Sequence, residues 1–144
     1  KKTPEGDFVD KEGNYIGRHK GIIHYTIGQR RGLGIPAASR LYVCEISPKT
    51  NTVVLGDNSD LFSSELEADS VNLISVADLS EPKRVTAKIR YRHKEQPAIA
   101  WQTPDGILHV RFDEPQRAIT KGQAVVMYDG NEVVGGGVIN KIYN

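Results

Sequence analysis

The sequence predicts an all-β protein made of two small modules, a first β module with one short helix and then a six-stranded antiparallel barrel. Three observations predict this. Apolar residues recur mostly with the two-residue period of strands, and no long amphipathic helix or internal repeat competes with that pattern. Gly, Pro, Asn and Asp punctuate the runs at short intervals, as turns require. A polar stretch, Gly56-Asp57-Asn58-Ser59-Asp60, interrupts the pattern, which sets a boundary near residue 61 and divides the chain into residues 1–61 and 62–144.

Each element has a local reason. Phe8-Val9 and Tyr15-Ile16 flank Asp10-Lys11-Glu12-Gly13-Asn14, where Gly and Asn tolerate positive φ, so this is a hairpin. Across residues 21–31, Ile23 and Ile27 stand four apart and Gly32 sits where a helix would end, which predicts the short helix. Residues 41–46 and 52–55 are strands joined by a turn with Pro48 at its second position. In the second module, strands are expected at 66–74, 83–92, 98–102, 107–112, 124–128 and 132–139. Thr103-Pro104-Asp105-Gly106 and Asp129-Gly130-Asn131 serve as turns.

Composition narrows the function. Of the 144 residues, 38% are apolar and 26% charged, with no apolar run of bilayer length and no signal-like start, so a cytoplasmic protein without membrane contact is expected. One cysteine, Cys44, rules out a disulfide framework and a zinc ribbon. It lies mid-strand among apolar neighbours, where a small buried thiol is expected rather than a nucleophile. A net charge of +1 means that any affinity for nucleic acid must come from local clustering. The chain opens on Lys1-Lys2-Thr3-Pro4 without an initiator Met, as a piece of a longer protein would.

Two clusters stand out. Along residues 83–92 the two-residue period puts Val85, Ala87, Ile89 and Tyr91 on one face and Arg84, Thr86, Lys88, Arg90 and Arg92 on the other. Four cations at roughly 6 to 7 Å spacing match the separation of phosphates along a nucleic-acid strand, and equally describe a solvated face that protects an edge strand. The second cluster is His24-Tyr25-Thr26-Ile27-Gly28-Gln29-Arg30-Arg31-Gly32-Leu33-Gly34. It reads either as a helix end with favourable charges or as a donor-rich loop in which Gln29, Arg30 and Arg31 meet RNA, with Arg18 and Lys20 nearby.

Catalytic chemistry is thin. His19 and His24 are five apart with no third ligand, so no metal site is expected. Asp113-Glu114-Pro115 reads as a solvated bend, and Gly135-Gly136-Gly137 lacks the Lys-Ser/Thr of a phosphate loop.

The ordered motifs Gly17-Arg18-His19-Lys20-Gly21, His24 through Gly34, Leu41-Tyr42-Val43, Lys88-Ile89-Arg90-Tyr91-Arg92, Phe112-Asp113-Glu114-Pro115, Thr120-Lys121-Gly122-Gln123-Ala124 and Gly135-Gly136-Gly137-Val138-Ile139 together resemble the middle and end of the tRNA-specific 2-thiouridylases of the MnmA type. The resemblance covers nearly the whole chain. It implies a three-part enzyme whose amino-terminal ATP-pyrophosphatase domain adenylates the wobble uridine. Sulfur from a persulfide, supplied by a donor protein, then replaces the activated oxygen. The present chain would be the central module, an adaptor beside the catalytic domain, and a carboxy-terminal barrel similar to the second domain of translation elongation factors. The nucleotide loop and both catalytic cysteines would lie outside it, so it would be inactive alone, and ATP would bind elsewhere. Cys44 inherits no role. The family's tRNA contacts fall on Arg90, Tyr91 and Gln123. On the face assignment above, Arg90 and Tyr91 point opposite ways, which leaves strand twist, a bulge or a strand end to aim one of them. Gln29, Arg30 and Arg31 belong to a family motif expected to buttress the reactive site as well as face RNA.

Three function classes follow: the tRNA-binding half of a sulfurtransferase, a free-standing RNA-binding barrel of a translation factor, and a flavin- or metabolite-binding barrel.

Overall fold

The computed structural model describes residues 4–35 and 41–143. The chain divides into two compact units, Lys1–Phe62 and Ser63–Asn144.

The first unit is a four-stranded sheet in the order β2-β1-β4-β3, formed by β1 (Gly6–Val9), β2 (Tyr15–His19), β3 (Tyr42–Ser47) and β4 (Thr52–Gly56). β1 and β2 form the expected hairpin, in which Gly13 takes φ +90° and the Asp10 carboxylate accepts the Asn14 and Glu12 N–H groups at 2.8 and 3.0 Å. β1 runs parallel to β4, so Phe8 and Val53 pair in register, and both are buried with Val43, Leu55 and Leu33. Gly6 is required where β1 begins, because a Cβ there would stand 2.1 Å from the Asn51 carbonyl oxygen and 2.6 Å from His19 Nε2.

The helix expected over residues 21–31 is one 3₁₀ turn, Ile22–His24, followed by irregular chain. Positive φ at both Gly21 (+123°) and Gly28 (+91°) takes those residues out of helical geometry. Ile22 and Ile27 instead pack onto the sheet's apolar cluster as separate anchors.

The second unit is a closed barrel with strand order β10-β5-β8-β7-β6-β9. Its strands are β5 (Phe62–Leu73), β6 (Lys83–Lys88), β7 (Gln96–Gln102), β8 (Leu108–Arg117), β9 (Ala124–Asp129) and β10 (Glu132–Tyr143). Alternate residues point inward and fill the interior, among them Leu66, Ala68, Val85, Ala87, Ala98, Ala100, Leu108, Val110, Val125, Met127 and Ile139. Alanines beside Leu and Met let a six-stranded barrel close on side chains alone. Gly130, with φ +61°, takes the first central position of the two-residue β9–β10 turn, as a II′ hairpin needs. Gly136 lies between neighbouring strands, where a Cβ would come within 2.2 Å of the Val125 carbonyl oxygen.

Two strand boundaries differ from the sequence reading. β6 ends at Lys88 rather than at residue 92, because Ile89 turns inward to cap the core while residues 90–93 form a turn. β8 continues through Asp113-Glu114-Pro115 to Arg117 instead of bending there.

Candidate nucleic-acid interface

The early end of β6 changes the reading of the cationic stripe. Arg84, Thr86 and Lys88 share its outer face, but the face is not free of acids, because β8 and the connection leading into β7 supply them. Arg84 Nη1 lies 2.6 Å from Asp113 Oδ1, and Thr86 Oγ1 donates to Glu95 at 2.9 Å. Lys83 pairs with Asp129 at 2.9 Å. Arg90 and Tyr91 are not strand residues, so their supposed opposite orientation does not arise.

The structure instead gathers cations at one end of the barrel. Lys88 pairs in register with Val126 and Ala124 with Val138, so the β6–β7 turn and the start of β9 lie side by side. Arg90 reaches across this end, its Nη2 donating to the carbonyls of Arg117, at 3.2 Å, and Ala118. Tyr91 is 87% exposed. Lys88 Nζ caps the Tyr91 carbonyl at 3.5 Å. Gln123 is exposed at the mouth of β9, and its backbone is held by Thr120 and Ile139. Lys94 and Lys121, which the sequence reading did not single out, are exposed at the same end. Lys121 was legible only as part of Thr120-Lys121-Gly122-Gln123. Among the described residues, no ion pair engages Lys88, Arg90, Arg92, Lys94 or Lys121.

In the first unit, the Gln29 loop is braced by its own groups. Gln29 Oε1 accepts the Thr26 N–H at 3.0 Å and its Nε2 donates to the Arg31 carbonyl at 2.9 Å. Two backbone bonds, Gly28 to Val43 at 2.7 Å and Val43 to Gln29 at 2.9 Å, fasten the loop to β3. Leu33 plugs the core while Arg30 and Arg31 stay exposed. The Gln29 side chain is thus occupied within the loop. Arg18 faces its cross-strand neighbour Asp7 at 2.9 Å, and Lys20 is exposed.

The histidines and the thiol are placed structurally. His19, 1% exposed, accepts the Gly21 N–H on Nδ1 at 3.0 Å and meets the Asn51 carbonyl through Nε2 at 2.8 Å, an arrangement that calls for the neutral Nε2–H form. It packs edge-on with Phe8 and Tyr25. Cys44 is half-buried rather than buried, at a bulge in β3 where Val43 opposes Leu55 and Glu45 opposes Val54. Burial, and then the carboxylates of Asp60 and Asp57, push its thiol up to about 11. A protonated thiol is a poor nucleophile.

The architecture is that of a small β module followed by a small closed barrel whose interior is filled by side chains and whose described cations gather at one end. Two family models match the chain. Residues 1–57 match the model described as tRNA methyl transferase PRC-barrel domain, residues 63–139 match that described as aminomethyltransferase beta-barrel domain, and the chain belongs to the family these domains define. It is 57% identical over 141 residues to the tRNA-specific 2-thiouridylase MnmA of Clostridioides difficile, with 98% of this chain and 39% of that protein covered. It is 54% identical over 139 residues to the protein of the same name from Acetivibrio thermocellus, covering 96% and 39%. The chain thus spans about two fifths of the length of these relatives.

Proposed function

We propose that this chain is the carboxy-terminal, tRNA-binding part of a cytoplasmic tRNA-specific 2-thiouridylase, the enzyme that places 2-thiouridine at the wobble position. The observation that carries the tRNA-binding role is the end of the barrel where Lys88, Arg90, Arg92, Lys94 and Lys121 have no acidic partner among the described residues and Tyr91 stands exposed among them. Cations supply backbone affinity and an exposed ring can stack on an unpaired base. Arg90, Tyr91 and Gln123 are the central contacts in this reading, with Lys88 and Arg92 beside them. In the first unit the exposed Lys20, Arg30 and Arg31 are further candidates for facing RNA or supporting the reactive site, with Arg18 held by Asp7 and Gln29 bracing its own loop.

Adenylation with ATP and sulfur transfer from a persulfide donor protein belong to the remainder of the enzyme. The residues here do not suit a nucleotide. Gly135-Gly136-Gly137 lies within β10, where backbone of β5 and β9 takes the space that phosphate would need. A metabolite inside the barrel is disfavoured because side chains fill the interior. The chain alone is therefore expected to retain tRNA in a strongly salt-dependent way while neither hydrolysing ATP nor thiolating tRNA. Filter binding over a salt series and a turnover assay check both halves. Salt-independent or absent tRNA retention overturns the binding role, and turnover above background overturns the division of labour.

A further inference from the structure

The β8–β9 loop, residues 118–123, is held from several sides. Ala118 takes φ +58°, uncommon for a residue with a Cβ, and both Ala118 and Ile119 are buried, so the chain dives inward before the loop emerges. The Ala118 carbonyl accepts from Thr120 Oγ1 at 3.0 Å and from Arg90 Nη2, which also reaches the Arg117 carbonyl. On the other flank, Gly122 N–H donates to the Ile139 carbonyl at 2.8 Å, and Ile139 N–H donates to the Gln123 carbonyl at 2.9 Å. Lys121 belongs to this braced loop, exposed and without an acidic partner among the described residues.

We propose that Arg90 is a positioning residue for this loop and that Lys121 is a further phosphate contact whose placement depends on Arg90; this rests on the tRNA-binding reading above. Donating through Nη2 to two successive carbonyls leaves the Nη1 and Nε donors of Arg90 for RNA and fixes the guanidinium across the loop's base. A lysine carries the same charge, but its ammonium ends one bond short of Nη2 on a flexible stem and lacks the planar guanidinium, so it is not held across the two carbonyls in the same way. A loop held before binding loses less conformational freedom when Lys121 meets a phosphate.

The test measures binding of unfractionated bacterial tRNA to the whole chain over a salt series, with melting temperature as a folding control. Lys121→Ala should weaken binding several-fold and lower the salt slope by about 0.7 to 0.9, one phosphate contact. Arg90→Lys should cause at least as large a loss although charge is retained, and adding Lys121→Ala to it should cost little more than Arg90→Lys alone, because the placement of Lys121 is already lost there. Amide exchange at Gly122 and Gln123 should rise in Arg90→Lys and not in Lys121→Ala. Thr120→Val, which removes the other side-chain donor to Ala118 without altering charge, should also lower the slope, and it carries the test if Arg90→Lys does not fold. Parental affinity and slope in Arg90→Lys, additive losses in the double variant, a parental slope in Thr120→Val, or a neutral Lys121→Ala beside a weakened Arg92→Ala would each overturn the inference alone. If the parent chain fails to bind tRNA, or Arg92→Ala and Lys94→Ala are also silent, the tRNA-binding reading falls with it.

Discussion

Cys44 shows how a single residue's surroundings decide its chemistry. With its thiol held near 11 against an ordinary 9.0, about a hundredfold less thiolate is present at pH 8, so iodoacetamide should label Cys44 in the folded chain roughly 100-fold more slowly than in the unfolded one. The thiol ionises near 9 when unfolded and near 11 when folded. Its contribution to stability is therefore complete below about pH 9 and lost as the pH rises towards 11, which urea melts of the parent and Cys44→Ser across that window will reveal. Gly6 is constrained in the opposite sense, by space. Gly6→Ala would drive a methyl into the Asn51 carbonyl and the His19 ring, and a loss of about 1 to 3 kcal/mol is expected by denaturant titration. Neither environment could be seen in the sequence. The bulge that turns Cys44 towards Asp57 and Asp60, and the approach of the β3–β4 turn to Gly6, both join residues distant along the chain.

At the scale of elements, β6 shows what period-two reading captures and what it omits. Val85, Ala87 and Ile89 were legible as one inward set, because alternation is local to the strand, but Tyr91, grouped with them, is exposed because the strand ends at Lys88. Val85→Ala should accordingly cost on the order of 1 to 3 kcal/mol and affect tRNA binding only through unfolding. The outward set was legible as residues but not as a charge surface, because Asp113 and Glu95 come from elsewhere in the barrel. The exposed Arg84–Asp113 pair is worth roughly 0 to 1 kcal/mol, so its main effect is to neutralise that part of the face. Arg84→Ala should therefore leave the salt slope for tRNA near the parental value, whereas Arg92→Ala should lower it, and parallel salt titrations of the two variants separate these outcomes. The predicted helix over residues 21–31 failed for a related reason. Ile23 and Ile27 have helical spacing, but Ile23 is exposed, and the anchors are Ile22 in the 3₁₀ turn and Ile27 in the irregular chain after it, a path that the glycines permit.

At the scale of the whole molecule, each unit closes its own core, one around Phe8, Val43 and Val53 and the other around Leu66, Leu108 and Met127. The barrel also has no open sheet edge, since β10 joins β5 to β9. Residues 63–144 expressed alone should therefore fold and melt cooperatively, as dispersed amide resonances and a single calorimetric transition would show. Because the chain as a whole is nearly neutral, the proposed tRNA affinity is expected to follow the local cation cluster and not the overall charge.

By itself the sequence determined the strand content, the shared face of Val85, Ala87 and Ile89 in the barrel and the family resemblance, all of which rest on patterns a few residues long or on ordered motifs. Only the tertiary structure decided which cations are free. Strand register brought Asp113 to Arg84 and closed off part of the expected stripe. Barrel closure carried the 89–95 turn to the 118–123 loop and gave Arg90 two backbone carbonyls. The physical reason is range: side-chain alternation is written in neighbouring residues, whereas charge compensation depends on strands that meet only after the chain has closed.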